Sequence, residues 1–196
     1  MKLFFLAFFF SIFGAAASAQ QTPSGFDLSN YGVRIEPDRR VIVVLAALEA
    51  ARTTDATGNS VPVLNPKLSP EGEKFRDLLR SDLAALDTKL RDKITLFVTQ
   101  HKRRNANKTE GEITAAFIAM AYELTPAPDL ANPVVTSDLP GDLQDVLDFA
   151  PLVRDFYRSS TIAANLPESV KTYQKIADGA LRRSSGEMVS ELLRYL

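Results

Sequence analysis

Cysteine is absent from the sequence, so no disulfide can staple the fold and no lipid-bearing cysteine can anchor the chain. Histidine occurs once, as His101, which removes every zinc site built on two or three imidazoles and the helical His-Glu-x-x-His motif with them. No Gly-x-Ser-x-Gly elbow, Ser-x-x-Lys pair, phosphate-cradling glycine loop or dinucleotide fingerprint can be found, and the familiar acyl-transfer and nucleotide chemistries lose their signatures. An excess of positive charge is missing too. With 23 Lys and Arg against 24 Asp and Glu, neither nucleic acid nor an anionic membrane is expected as the main partner. No internal repeat of fixed period is present, which counts against helix-pair solenoids.

What is there begins with an export signal. Lys2 precedes an apolar run from Leu3 to Phe13, and Ala17-Ser18-Ala19 ends the segment in a small-x-small box. These are the three parts a signal peptidase reads, with cleavage expected between Ala19 and Gln20. The run falls short of the ~20 apolar residues that a membrane-spanning helix needs. Cleavage removes residues 1–19 and with them only one charged side chain, Lys2, so 22 basic groups face 24 acidic ones in a mature chain at −2. The expectation is an exported, periplasmic or extracellular protein, free of the membrane once cleaved. Small secreted domains of eukaryotes tend to be disulfide-dense, so the lack of cysteine leans the host towards bacteria.

Periodicity in the remaining 177 residues, enough for one domain with its own core, predicts an all-α or nearly all-α fold, an irregular bundle of six to eight helices. Residues 20–38 hold Pro23, Gly25, Gly32 and Pro37 and read as an exposed lead-in, with a short edge strand as an option at 31–35. Residues 39–196 read as one helical domain. Val41, Val44, Leu45, Leu48 and Ala51 fall at helical spacing; Val41 to Val44 alone suits a buried strand, but the alanine-rich continuation makes the run too long for one. A loop is expected from Thr53 to Leu68. Ser69-Pro70-Glu71 then spells a helix start, and Phe75, Leu78, Leu79, Leu83, Leu86 and Leu90 form an apolar stripe opposite Arg76, Asp77, Arg80, Asp82 and Asp87. Thr88 is a candidate opening for a second segment that carries Ile94, Phe97 and Val98.

Thr109-Glu110-Gly111-Glu112 is a capping box, and the helix it opens carries Ile113, Phe117, Met120, Ala121 and Leu124 until Pro126 and Pro128 stop it. A proline-rich connection spans 125–140. Three further segments are expected: Gly141 to Ser159 with a break near Pro151, Glu168 to Arg182, and Ser185 to Leu196 behind a second capping box, Ser184-Ser185-Gly186-Glu187. That last segment stays apolar up to Leu196, so either it docks on the core or related chains run on past it.

Candidate chemistry is thin. His101, beside a basic helix end, reads as a surface or capping residue rather than a lone general base. The run Lys102, Arg103, Arg104 and Lys108 suits an anionic glycan or partner, or else a solvated helix end favoured by the helix dipole. Asn107-Lys108-Thr109 matches the glycosylation acceptor pattern, relevant only in a eukaryote. From Lys108 to Arg154 no basic residue intervenes; Asp138, Asp142 and Asp145 there are conceivable calcium ligands, although the alternate-position spacing of a calcium loop is lacking. A further reading is an enzyme relying on carboxylates alone, such as Asp142 and Asp145 with Glu112. Phe75, Phe97, Phe117, Phe149 and Phe156 read as core. No catalytic, cofactor or metal residue is assigned; the only site residues are those of signal cleavage, Ala17, Ala19 and Gln20.

The order of the apolar helix Val41–Ala51, the amphipathic helix Phe75–Leu86, the stretch Lys93–Lys102 around Phe97 and His101, and the run Ala115–Ala121 resembles the amino-terminal part of a family of uncharacterised exported bacterial proteins. The resemblance covers roughly residues 41–125 and rests on helix order and scattered residues. Members of that family resemble zinc metallopeptidases in a later part of the chain. The zinc-binding segment has no counterpart here, so the resemblance carries over no catalytic residue and implies a non-catalytic helical front part, shortened before the chemistry. The alternative is a periplasmic scaffold module that binds a peptide or another envelope protein.

Overall fold

The computed structural model describes residues 36–81, 86–131 and 141–194. The signal segment, the candidate strand at 31–35, most of the proline-rich connection and Leu196 lie outside the described residues. Within them the chain is mostly helical, with seven helices and one two-stranded antiparallel sheet. The expected mostly-α irregular bundle is what forms.

Helix α1 (Arg39–Ala50) is the hub, and the β-branched start of this run is helical rather than a strand. From Ile42 to Ala50 every position but Leu45 is buried, and a helix apolar on all sides has to lie inside. Its alanines leave room for neighbours on every face, and α2, α3, α4, α6 and α7 all pack against it. Asp38 caps its start, the carboxylate accepting from the backbone N–H of Arg40 at 2.8 Å. The Arg40 guanidinium also donates to the carbonyls of Tyr122 (3.1 Å) and Leu124 (3.0 Å). One side chain thus meets carbonyls that the end of another helix leaves without intrahelical donors.

The expected loop after Thr53 contains a hairpin instead. Strands β1 (Arg52–Thr54) and β2 (Ser60–Pro62) pair antiparallel, with Thr53 opposite Val61. The Asp55 carboxylate closes the turn by accepting from the backbone N–H groups of Thr57 (2.9 Å) and Asn59 (2.8 Å), and Gly58 takes φ +86°, where a side chain would be strained. Polar β-branched residues around an Asp-x-x-Gly-Asn turn carried this signal; Pro62 obscured it. As the last residue of a two-stranded sheet, that proline costs little.

Helix α2 (Pro70–Ser81) starts as expected, the Ser69 hydroxyl accepting from Gly72 N–H at 3.1 Å. Helix α3 (Thr88–Arg104) is separate and opens at Thr88, but Asp87 provides the cap, its carboxylate accepting from Leu90 N–H at 3.1 Å. Leu90, Ile94, Val98 and His101 form its buried stripe. The capping box of α4 (Glu110–Tyr122) is complete: Glu112 N–H donates to the Thr109 hydroxyl at 3.2 Å, and Thr109 N–H donates to the Glu112 carboxylate at 2.7 Å.

The break expected near Pro151 falls at Asp148–Phe149, between α5 (Gly141–Leu147) and α6 (Ala150–Ser159). Pro151 sits in the first turn of α6, where its missing N–H has no intrahelical role. Beyond it, the two expected helices are one, α7 (Ile162–Arg194), with Pro167 inside it. The second capping box therefore opens nothing. A cap needs the preceding helix to stop, and no proline stands between Glu168 and Ser185 to stop it. At 33 residues α7 is about 50 Å long.

The core gathers Phe117, Phe149 and Phe156, all fully buried, with Phe97 packed against them at 5.2 Å from Phe149. Phe75 is partly buried and lies 4.6 Å from the Tyr173 ring of α7. Of the five phenylalanines read as core, Phe117, Phe149 and Phe156 are in it, and Phe75 and Phe97 are partly buried against it.

Candidate functional site

The turn from α3 into α4 faces the hairpin across a depression of about 440 Å³. Val63 and Ile113, both buried, supply its apolar part; Thr53, Thr99 and Asn105 supply polar groups; Lys102, Arg103, Lys108 and Glu110 supply charge. Among the described residues three cations and one carboxylate line the walls, in a chain whose formal net charge is −1.

Lys102 fastens this region together. Its ammonium donates to the Val63 carbonyl at 2.8 Å and to the Glu110 carboxylate. The other Glu110 oxygen accepts from Asn65 N–H at 2.6 Å. Burial alone would raise the Glu110 pKa, but the Lys102 and Asn65 hydrogen bonds outweigh it and hold the group below the usual carboxylate range. Arg103 is exposed and makes no ion pair or hydrogen bond among the described residues. The basic run is therefore neither uniformly solvated nor uniformly free.

His101 is not at the surface. It is 1% exposed, with its ring 5.1 Å from that of Phe117 in an edge-on arrangement. The Asn105 amide nitrogen donates to the His101 carbonyl at 3.1 Å and lies 3.4 Å from Nε2. With that amide as donor, Nε2 accepts and the proton sits on Nδ1, which has no hydrogen-bond partner. Burial, with the nearby charge of Arg104, holds the imidazole pKa below its ordinary value. The expectation of a surface role failed because a helical stripe of 90, 94 and 98 continues to 101, whatever the charges that follow.

The acidic candidates do not assemble into a described site. Glu112 is spent in the capping box. Asp145 is exposed on α5; the Asp142 side chain and all of Asp138 lie outside the described residues, as do Ala17, Ala19 and Gln20. Among the described residues no three of His, Asp and Glu stand close enough to hold a metal ion, and no helix is long and apolar enough to cross a membrane.

One polar cluster escaped the sequence reading. Glu49 of α1 is buried, and its Oε1 lies 2.9 Å from Nε of Arg76 on α2, itself 5% exposed. Nε makes no aligned hydrogen bond, so the contact is chiefly charge on charge. Arg76 Nη1 donates to the Asn65 side-chain oxygen at 2.7 Å, and Arg80 Nε donates to Glu49 Oε2 at 3.2 Å. The available signal was Glu49 itself, the only charge between Val41 and Ala51. A lone acid in a helix apolar all round needs a buried cation.

No family model, curated protein or solved structure matches this chain.

Proposed function

We propose that this chain is an exported, non-catalytic helical scaffold that binds a peptide or another protein of the bacterial envelope. One observation carries the reading: the side chains that chemistry would draw on are committed to holding helices together. His101 is packed against Phe117, Glu112 caps its own helix, and Glu49 and Glu110 each neutralise a cation of another element. The open feature left beside them is a positively charged depression, which suits recognition rather than turnover. Export rests on Lys2, the apolar run and Ala17-Ser18-Ala19.

Two measurements test this. Mass spectrometry of fractionated cells should find the chain in the envelope beginning at Gln20; recovery from the cytosol with Met1 intact would defeat the export half. Incubation with a broad peptide panel should leave the peptides whole while some raise the melting temperature. Metal-independent hydrolysis of any of them would defeat the non-catalytic half.

A further inference from the structure

We propose that the depression between the hairpin and the α3–α4 turn is a carboxylate-recognition site for an acidic peptide segment, with Arg103 as its anchor. This deepens the scaffold reading and rests on it. A guanidinium offers five N–H donors in a planar fork that matches a carboxylate in a two-bond arrangement. Arg103 lines the depression and spends none of those donors on the described residues. Lys102 has three N–H groups and gives two of them to Val63 and Glu110. Its third remains for a ligand, and the two bonds already made hold the ammonium in place.

The pairing of Lys102 with Glu110 has a second effect. It neutralises the only carboxylate that the described residues place on the walls, which would otherwise repel an incoming anion. Val63 and Ile113 offer apolar contact for the methylenes of an acidic side chain, and Thr53, Thr99 and Asn105 offer hydrogen-bonding groups suited to peptide backbone. A volume of about 440 Å³ lies within the ordinary range of small-ligand sites. Asn105 touches both the depression and His101, so occupancy should be felt by the imidazole beneath. As the sole histidine, it provides a single resolved reporter.

The test is a proton NMR titration of the mature chain that follows the His101 ring. The probes are a blocked tripeptide with a leucine between two glutamates, its glutamine counterpart, and inorganic phosphate. The acidic tripeptide should shift the His101 signal saturably, and the glutamine counterpart should bind about tenfold more weakly or not at all. Arg103→Gln should weaken the tripeptide about tenfold, whereas Arg104→Gln, which removes an equal charge one residue away, should leave it nearly unchanged. Both positions are exposed, so both variants should fold as the parent does, which circular dichroism checks.

Any of three results would overturn the proposal: no saturation by about 10 mM tripeptide, where affinity falls below any useful recognition; equal losses in the two variants, which mark diffuse surface charge; or phosphate binding more tightly than the peptide. Hydrolysis of the tripeptide would instead sink the non-catalytic reading beneath it, so the two failures are separable.

Discussion

The buried pair between Glu49 and Arg76 makes the sharpest demand on the fold. Their side chains are 10% and 6% exposed, so removing one partner strands a charge away from water. Such a loss typically costs about 3–5 kcal/mol, a large part of the ~5–15 kcal/mol that holds a domain folded. Here the structure shades the figure downward. After Arg76→Met, Glu49 keeps Arg80 at 3.2 Å, but Arg80 is 37% exposed and screens less well than Arg76 did. After Glu49→Leu, Arg76 keeps the Asn65 oxygen at 2.7 Å and a half-exposed Glu73 at 3.7 Å. Each single substitution should therefore cost about 2–4 kcal/mol, the middle to lower part of that range. The double substitution removes both charges and fills the space with apolar atoms, an exchange that is often neutral or stabilising. It should restore most of the loss, giving a coupling of at least ~2 kcal/mol in a double-mutant cycle. Urea unfolding followed by circular dichroism measures all four species, and the single variants should melt roughly 5–15 °C lower. Single losses under about 1 kcal/mol, or losses that simply add, would refute the claim that this pair is buried and mutually dependent.

Other outcomes follow from the same contacts. Because burial lowers the His101 pKa in the fold, the unfolded chain takes up that proton first, and stability should fall as pH drops below about 6.5. His101→Phe should flatten the change in urea midpoint between pH 7.5 and 5.5, and an unchanged slope would place the titration elsewhere. Glu71, held low by its hydrogen bonds to Arg183 on α7, and Asp38, where hydrogen bonds from Arg40 outweigh the raising effect of burial, are both below the usual carboxylate range. Their contribution should be whole above about pH 4.5 and lost as pH falls through the lowered folded values, a second acid transition that remains in His101→Phe. Thr109→Ala removes the cap of α4 and should cost about 0.5–2 kcal/mol by thermal melting. Phe117→Ala opens a cavity beside Phe149 and His101 and should cost about 3–5 kcal/mol in the same assay.

Most of the helical architecture was legible because its signals are local. Ser69-Pro70, the Thr109 capping box and the stripe Leu90, Ile94, Val98 each require only a turn or two of chain to be read. The misreadings share a different cause. The hairpin at 52–62 depends on pairing across a turn, and β-pairing reflects packing and context more than local preference. The continuity of α7 past Ser185 depends on what does not interrupt it. Glu49 and Arg76 are 27 positions apart in sequence, and no period along either helix announces that two charges will meet inside.

The basic run shows most clearly why composition alone does not separate the roles of neighbouring side chains. Successive residues of an α-helix differ by about 100° in direction, so four charged or polar neighbours cannot share one environment. His101 turns inward on the stripe set by Leu90, Ile94 and Val98; Lys102 reaches sideways to the hairpin carbonyl and Glu110; Arg103 is left in water at the edge of the depression. Read as one solvated helix end, the run hides three different roles. Read with the helical angle applied to each position, it separates a core residue, a tether and an exposed guanidinium at the edge of the depression. The same rotation explains why Arg104 is the proper control: it adds equal charge to the region but does not line the cavity, so a difference between the two arginines can only come from geometry.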